Sequence, residues 1–278
     1  MRLFFASDLH GAVGRYDKLF AAAARERPTA VFLGGDLLPG GALLGAGDFF
    51  AAVLAPRLER LRQASPATRV LAILGNDDPR SEEASLLALA GRGLLDYAHA
   101  RRLDLGGHAV YGYACVPPTP FLLKDWERYD VSRYVDPGCV SPEEGVRTVA
   151  VPEGDVRWGT IAADLDRLAG GDDLSAAVFL FHSPPYRTRL DRAALAGRSV
   201  DHAPLDEHVG SIAIRRFLEA RQPLLALHGH IHESARLTGS WRDAIGRTHL
   251  FSAAHDGPEL ALVRVDLEAP EAATRELV

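Results

Sequence analysis

The sequence has little cysteine and no excess of positive charge. Its 278 residues include two cysteines, Cys115 and Cys139, too few for the disulfide framework of a small secreted domain, which points to a reducing compartment. With 31 Lys and Arg residues against 37 Asp and Glu residues, the formal net charge is −6. Such a chain has no general attraction to nucleic acid or to anionic membranes. An anionic substrate would therefore need a local positive centre.

Long apolar segments are also missing. The apolar N-terminal run stops at Asp8, which is too short for a signal peptide. The uncharged run 105–123 contains His108, three glycines and three prolines, so it is a poor candidate for a transmembrane helix, which needs about 18 apolar residues. We therefore expect a cytoplasmic protein with no membrane partner, and the length favours a single domain over residues 1–278.

Short apolar runs alternate with longer amphipathic segments, a pattern typical of an α/β protein with a parallel sheet. The loop 183–209 and the kink or split near Pro56 interrupt this pattern. The pattern predicts helices at 16–25, 49–61, 82–90, 158–168 and 211–220, and strands at 3–6, 30–33, 70–74, 177–181, 224–227, 247–252 and 260–267.

The middle of the chain, residues 116–151, follows neither the helical nor the strand period. It holds five prolines and the aromatic residues Phe121, Trp126, Tyr129 and Tyr134. We predict an irregular insertion held together by its aromatics, serving as a lid or as an oligomer contact. The aromatics either stack on a nucleobase or pack the insertion against the body, and the three-residue spacing of Trp126 and Tyr129 favours packing.

Polar side chains follow five of the predicted strands. Because ligands bind at the carboxyl ends of strands in open α/β sheets, we expect these side chains to converge. The spacing Asp-x-His or His-x-His directs two side chains to one side of an extended segment. Nitrogen and oxygen donors without thiolate favour Mn²⁺, Fe, Zn²⁺, Co²⁺ or Ni²⁺, and seven donors suit two ions that share a carboxylate. The candidate donors are Asp8, His10, Asp36, Asn76, His182, His230 and His232.

Each motif also has an ordinary structural explanation. Asp8 and Asp36 are placed where helix caps occur, and Asn76 follows a glycine as turn residues do. Taken alone, His182 fits a core histidine better than a ligand. Five motifs in this order favour the ligand interpretation. Two neighbouring residues receive structural roles, since Asp78 would orient a neighbour or cap a helix and His228 would support the donors from behind.

The order Asp-x-His, Gly-Asp, Gly-Asn-x-Asp, His, Gly-His-x-His, running from Asp8 to His232, resembles the calcineurin-like metallophosphoesterase family. The resemblance implies a β-sandwich flanked by helices, with the site at one end. It implies a phosphoester hydrolase in which a hydroxide bridging two metal ions attacks phosphorus in line. The implied ligands are Asp8, His10 and His232 for one ion, Asn76, His182 and His230 for the other, and Asp36 for both.

The chain departs from the family pattern at Asp77, where most members have a histidine. An ionised carboxylate there would repel a dianionic monoester more than a monoanionic diester, and it has no proton to donate to a leaving group. We therefore assign Asp77 a catalytic role and predict a phosphodiesterase acting on a small phosphoester. The alternatives are a phosphomonoesterase acting on a nucleotide or phosphoprotein, and a non-catalytic metal-stabilised scaffold. Nucleic acid is disfavoured as a partner, and a homodimer through 116–151 or the C-terminal strands stays open.

Overall fold

The strands form two six-stranded sheets and one short two-stranded ribbon in the computed structural model, which describes residues 1–40 and 48–278. The first sheet consists of β1 Arg2–Ala6, β2 Ala30–Gly34, β3 Arg69–Ile73, β4 Asp96–Tyr97, β13 Ala261–Asp266 and β14 Thr274–Leu277. The second consists of β5 Arg101–Leu105, β6 His108–Tyr113, β7 Val178–Phe181, β10 Leu225–His228, β11 Arg242–Ile245 and β12 Thr248–Ser252. The ribbon pairs β8 Ser199–Val200 with β9 Ala203–Pro204.

Both sheets are mixed, with a parallel centre. The first has the order β14-β13-β1-β2-β3-β4, and its strands β1 to β4 are parallel. The second has the order β11-β12-β10-β7-β6-β5, and β6, β7, β10 and β12 are parallel. The sheets face each other through β2 with β7 and β3 with β6. The predicted α/β sandwich flanked by helices is thus confirmed.

The central strands are buried along their whole length, as expected for parallel strands covered on both faces. Every residue of β2, β7 and β10 is buried. The flanking helices are α1 Val13–Glu26, α2 Ala55–Ala64, α3 Glu83–Gly91, α4 Glu153–Trp158, α5 Ile161–Ala169, α6 Ile212–Arg221 and α7 Ser234–Thr238. Of the helices in the described part of the chain, none is long and apolar enough to cross a membrane.

Two predicted helices are divided in the structure. The segment 49–61 is a π-helical turn, Phe50–Leu54, followed by α2, whose Pro56 lies in the first turn, where a missing N–H costs nothing. The predicted helix 158–168 breaks at Gly159, so that Trp158 ends α4 and Thr160 caps α5 with its side chain. The division beside Pro56 agrees with the kink or split predicted there. The break at Gly159 was missed, because apolar spacing continues across it.

The strands missed were β6, which lies inside the second sheet, and the short or edge strands β4, β5, β8, β9, β11 and β14. β5 and β6 form a hairpin around Gly106 and Gly107, which adopt φ values of 60° and 91°. Tight hairpins require such left-handed residues, so the Gly-Gly pair was an available signal. β11 and β14 are edge strands whose residues are mostly exposed or half-buried, and the chain shows little apolar alternation there.

The insertion 116–151 is irregular, as predicted, with isolated β-bridges in place of helices or extended strands. The prediction that its aromatics hold it together is only half right. Trp126 and Tyr129 are buried at 1% and 2% exposure, but Phe121 and Tyr134 are 60% and 67% exposed. The exposed pair lies too far out to contribute to packing, so polar contacts supply the remaining attachment.

Those polar contacts tie the insertion to the body at several points. Trp126 donates its indole N–H to the carbonyl of Asp78 at 2.8 Å. Asp130 accepts the backbone N–H of Ile212 at 2.6 Å, which caps the N-terminus of α6. Within the insertion, the fully buried Lys124 and Glu127 form an ion pair at 2.5 Å.

His99 lies where the insertion meets the edge of the second sheet. Its ring makes an edge-on contact with Trp126, with the centroids 5.0 Å apart. Nδ1 accepts the backbone N–H of Ala114 at 3.0 Å, so a neutral ring carries its proton on Nε2. Burial, together with the positive charge of Arg80, lowers the pKa of His99 to about 3.

We expect His99 to make the protein less stable in acid. Since its folded pKa lies below the ordinary value of 6.5, its contribution is complete above pH 6.5 and is lost as the pH falls towards 3. The loss between pH 7 and pH 5 is about 2 kcal/mol. Urea unfolding at both pH values should show a decrease smaller by about this amount in His99→Gln, which keeps an acceptor for the Ala114 N–H. Equal decreases in the two proteins would contradict this account.

Candidate metal centre

The carboxyl ends of β1, β2 and β3 in one sheet and of β7 and β10 in the other meet at one edge of the sandwich. Asp8 and Asp36 lie two residues beyond β1 and β2, and Asn76 lies three beyond β3. His182 directly follows β7, and His230 lies two residues beyond β10. Parallel register within each sheet brings the five ends to the same level, so residues distant in sequence become neighbours.

Sharp backbone turns aim these side chains inward. Asp8, His10, Asp36 and His230 have positive φ values of 56°, 44°, 50° and 75°. Asp and His tolerate this left-handed conformation better than most residues, and such strain is concentrated at functional sites. The loops support one another, because the N–H of Asp8 donates to the carbonyl of Gly35 at 3.0 Å and that of His10 to the carbonyl of Asp36 at 2.8 Å.

The candidate donors form two groups that share one carboxylate. In each group the ligand atoms all lie within 4.8 Å of one another. The first group contains Asp8, His10, Asp36 and His232, and the second contains Asp36, His182 and His230. Asn76 adjoins the second group, with its Oδ1 3.0 Å from Nε2 of His182.

The orientation of His182 suits a ligand. Its Nδ1 lies 2.7 Å from the carbonyl oxygen of Gly34, which can only accept, so Nδ1 carries a proton. In the neutral ring, Nε2 then presents its lone pair, and it lies 3.3 Å from Oδ2 of Asp36. Histidine ligands of metals commonly hold their other nitrogen on a carbonyl in this way.

The electrostatics of the site show a demand for positive charge. Burial disfavours the protonated form of His182, but the attraction of the Asp36 carboxylate is stronger than this effect and raises the pKa of His182 to about 10. In the same way Asp8 raises the pKa of His232 to about 9 against the effect of burial. Burial and the repulsion from His182 lower the pKa of His230 to about 3. Two buried carboxylates thus draw protons onto neighbouring imidazoles.

This donor set fits divalent metal ions. Asp8 and Asp36 are buried at 1% and 2% exposure, and burying two carboxylates side by side requires compensating cations. Nε2 of His10 and Nε2 of His232 approach to 3.1 Å, which is a natural arrangement for two ligands of one ion. Imidazole and carboxylate donors without thiolate match first-row divalent ions.

Asp77 lies at the mouth of this cluster, with its side chain 43% exposed. Oδ1 accepts the amide N–H of Asn76 at 2.9 Å, which turns Oδ1 of Asn76 towards His182. Oδ2 lies 3.9 Å from Nδ1 of His10. Partial burial and the charge of Asp36 raise the pKa of Asp77.

Three supporting residues surround the donors. Asp78 is fully buried and accepts backbone N–H groups from Leu37, Leu38 and Gly75 at 2.8–3.0 Å, so it joins the Asp36 loop to the Asn76 loop and does not cap a helix. Asp78 was expected to orient a neighbour, and its buried three-donor environment could not be read from the sequence.

The other two supports lie behind Asp8 and His230. Arg15 donates to the carbonyl of Asp8 at 2.8 Å, and it was missed because an arginine in the first turn of a helix carries no distinctive signal. His228 is fully buried, with Nδ1 3.0 Å from the carbonyl of Ser183 and its ring stacked on Phe181. It therefore lies away from the two donor groups, consistent with the structural role expected for it.

The comparisons with known proteins agree with this geometry. The model of the calcineurin-like phosphoesterase family matches residues 1–234. The chain therefore belongs to this family, as the resemblance implied, and it is a metal-dependent phosphoesterase. A comparison with the curated proteins finds no match.

Several solved structures are similar to the chain at low sequence identity. The protein TT1561 of Thermus thermophilus is 17% identical with a TM-score of 0.60, covering 99% of this chain and 98% of that one. A dimetal phosphatase from Danio rerio is 14% identical with a TM-score of 0.53, covering 95% and 91%. Phosphopantetheinyl hydrolase from Mycobacterium tuberculosis is 13% identical with a TM-score of 0.52, covering 91% and 89%. These similarities establish the fold.

We expect Asp78→Ala to destabilise the protein by about 3–9 kcal/mol, because it leaves three buried N–H groups without acceptors at about 1–3 kcal/mol each. Asp78→Asn keeps one acceptor oxygen in the same shape and should cost less than half as much. Denaturant unfolding of both variants and the wild type in chelator would measure the difference without any contribution from metal. Equal losses in the two variants would contradict this account, because one acceptor oxygen in the same shape would then be no better than a missing side chain.

Proposed function

We propose that the chain is a phosphodiesterase with two divalent metal ions. The observation that carries this proposal is the position of Asp36, whose carboxylate belongs to both donor groups. One carboxylate common to two groups of imidazole and carboxylate donors is the arrangement needed to hold two ions close together. Asp8, His10 and His232 would hold one ion, and Asn76, His182 and His230 the other.

When bound, the two ions would supply a nucleophilic water at neutral pH and would neutralise charge on the phosphoryl oxygens. The residues of the chain hold the donors in place and limit what can enter. The N–H of His230 donates to Oδ1 of Asp8 at 3.0 Å, and the N–H of Asp77 donates to Oδ1 of Asp36 at 2.9 Å. Both carboxylates are therefore fixed before a substrate arrives, which saves reorganisation during the reaction.

Close packing of the backbone around the candidate donors also helps to fix their positions. A Cβ on Gly229 would come within 2.7 Å of Oδ2 of Asp8, and a Cβ on Gly75 would lie 2.7 Å from Cε1 of His182. Glycine is needed at both positions because the backbone of one loop touches the donors of the next. The cluster is thus built to hold its side chains within tight limits.

Asp77 supports the preference for diesters. Its side chain faces the cluster from the mouth, and a phosphomonoester carries one more negative charge than a diester of the same alcohol. The carboxylate would repel the extra charge, and an ionised Asp77 has no proton to offer a poor leaving group. We therefore propose a small phosphodiester, or an ester with a good leaving group, as the substrate.

Removal of Asp36 provides the direct test of the shared-carboxylate arrangement. We expect metal-stripped wild type to regain two equivalents of Mn²⁺ per chain and to hydrolyse bis(p-nitrophenyl) phosphate. Asp36→Ala should bind fewer than two equivalents and lose activity by about 1000-fold or more. Elemental analysis and initial rates would measure both, with the exposed Asp104→Ala as a matched control. A fully active Asp36→Ala protein would sink the proposal.

Substrate choice should depend on Asp77. The ratio of kcat/KM for bis(p-nitrophenyl) phosphate to that for p-nitrophenyl phosphate compares a diester and a monoester of one alcohol. We expect wild type to favour the diester and Asp77→Asn to lower the ratio about tenfold, because a repulsion of about 1.4 kcal/mol is removed. Asp104→Asn removes a carboxylate elsewhere and should leave the ratio unchanged. An unchanged ratio in Asp77→Asn would show that Asp77 does not select the substrate.

A further inference from the structure

A cavity of about 630 Å³ lies where the edges of the two sheets meet the insertion 116–151. Its walls come from α3, β4 to β6, α5 and the segment 124–156. None of the candidate metal donors lines it, and neither does Asp77. The cavity is therefore a compartment separate from the metal centre, and its volume falls in the range of small-molecule sites.

The charge of the cavity is opposite to that of the chain. Seven arginine and lysine side chains line it, against five carboxylates, whereas the whole chain has a formal net charge of −6. A local positive excess in an acidic protein concentrates field lines in a concave site and favours an anionic occupant.

Two of these guanidinium groups have no carboxylate partner. In the described ranges 1–40 and 48–278, Arg147 forms no salt bridge, and Nη1 donates to the carbonyl of Pro142 at 2.6 Å. Burial lowers the pKa of Arg147 although the charges of Asp125 and Glu127 oppose this effect, so the guanidinium is only partly compensated. Arg101 likewise makes no salt bridge among those residues, and its guanidinium lies over the ring of Tyr97 at 5.6 Å.

A third guanidinium is only weakly paired. Arg80 lies over the Trp126 ring at 5.2 Å and approaches Glu83 at 3.5 Å. His99 lines the same cavity, and its Nε2–H adds a neutral donor to the wall, since Nδ1 accepts the N–H of Ala114. These groups have N–H donors that remain free to bind a ligand. The aromatic rings of Trp126 and Tyr97 hold the guanidinium groups of Arg80 and Arg101 in place.

Other charged residues of the wall are fixed by their own partners. Arg128 is held by Asp164 at 3.1 Å, and Lys124 is held by Glu127 at 2.5 Å. Arg167 also pairs with Asp164, at 3.0 Å, and Arg102 pairs with Asp172 at 3.1 Å. These pairs stiffen the cavity and leave Arg80, Arg101 and Arg147 as its available cations. Guanidinium groups bind phosphate through parallel N–H donors.

We propose that this cavity binds a small phosphorylated molecule carrying two or more negative charges. The site lies behind the loop that holds Asn76 and Asp77. The backbone N–H of Arg80 donates to Oδ2 of Asp125 at 2.8 Å. The indole N–H of Trp126, in the same wall, donates to the carbonyl of Asp78 at 2.8 Å. A bound molecule would therefore contact a wall that is hydrogen-bonded to the loop of Asn76, Asp77 and Asp78, without entering the metal centre.

Inorganic pyrophosphate is the probe for this site. The full-length Asp36→Asn protein, dialysed free of metal, removes the metal centre as a competing anion site. Calorimetric titration should show one equivalent of pyrophosphate bound per chain. The double change Arg101→Gln and Arg147→Gln in that background should weaken binding at least tenfold. Citrate, an anion of similar charge without phosphate, should bind at least tenfold more weakly than pyrophosphate.

Two further variants keep this test decisive. Arg216→Gln removes one exposed positive charge from α6, outside the cavity, and should leave binding unchanged. Arg101→Gln alone affects an exposed side chain, so it should weaken binding while preserving the circular dichroism and melting temperature. Absence of binding, equal weakening by Arg216→Gln, or equal binding of citrate would each overturn the proposal. Because all titrations use a protein with a disabled metal centre, their outcome is independent of the proposed hydrolysis.

Discussion

The burial of two carboxylates beside each other is the constraint on which the rest of this structure depends. Asp8 and Asp36 are almost completely shielded from water, and ionised groups in such surroundings need positive charge close by. Protonated His182 and His232 meet that need in the protein alone, as their raised pKa values show. Divalent ions would meet it better, because each brings two charges and frees the imidazole nitrogens to act as ligands.

The fold meets this constraint with backbone geometry. Four of the candidate donors adopt left-handed conformations that cost energy, and the loops carrying them exchange hydrogen bonds that make up the cost. Asp78 contributes most to this framework, since its carboxylate joins two loops through three backbone N–H groups. The hydrogen bonds between the loops stabilise the left-handed backbone conformations, so a change that removed these bonds would let the donor side chains move.

The insertion extends this framework outward. Trp126 fastens it to the carbonyl of Asp78, while Asp130 fastens it to α6. It also closes one side of the arginine-lined cavity, so the segment that departs most from regular structure connects both sites. Its attachment through single buried side chains explains how 36 irregular positions, 116–151, remain ordered without a sheet or helix of their own.

The sequence by itself determined the strand and helix alternation and the order of the donor motifs. Apolar periodicity depends on local burial, so it located the central strands β1, β2, β3, β7 and β10 correctly within a residue or two. Spacing within one loop correctly predicted that Asp8 and His10 share a donor group. The same argument was wrong for His230 and His232, which belong to different groups, because these loops are sharply turned and not extended. Pro56 predicted the break near Leu54, whereas the break at Gly159 could not be predicted, because apolar spacing runs through it.

Only the tertiary structure decided which groups face one another. The resemblance implied a shared role for Asp36, but nothing in the sequence indicated that Asp78 accepts three N–H groups or that Arg80, Arg101 and Arg147 line one cavity. These arrangements depend on contacts across tens of residues. Apolar periodicity and motif spacing reflect interactions between residues that are close together along the chain. Charge compensation and hydrogen bonding act through space, so their partners are fixed only when the two sheets come together.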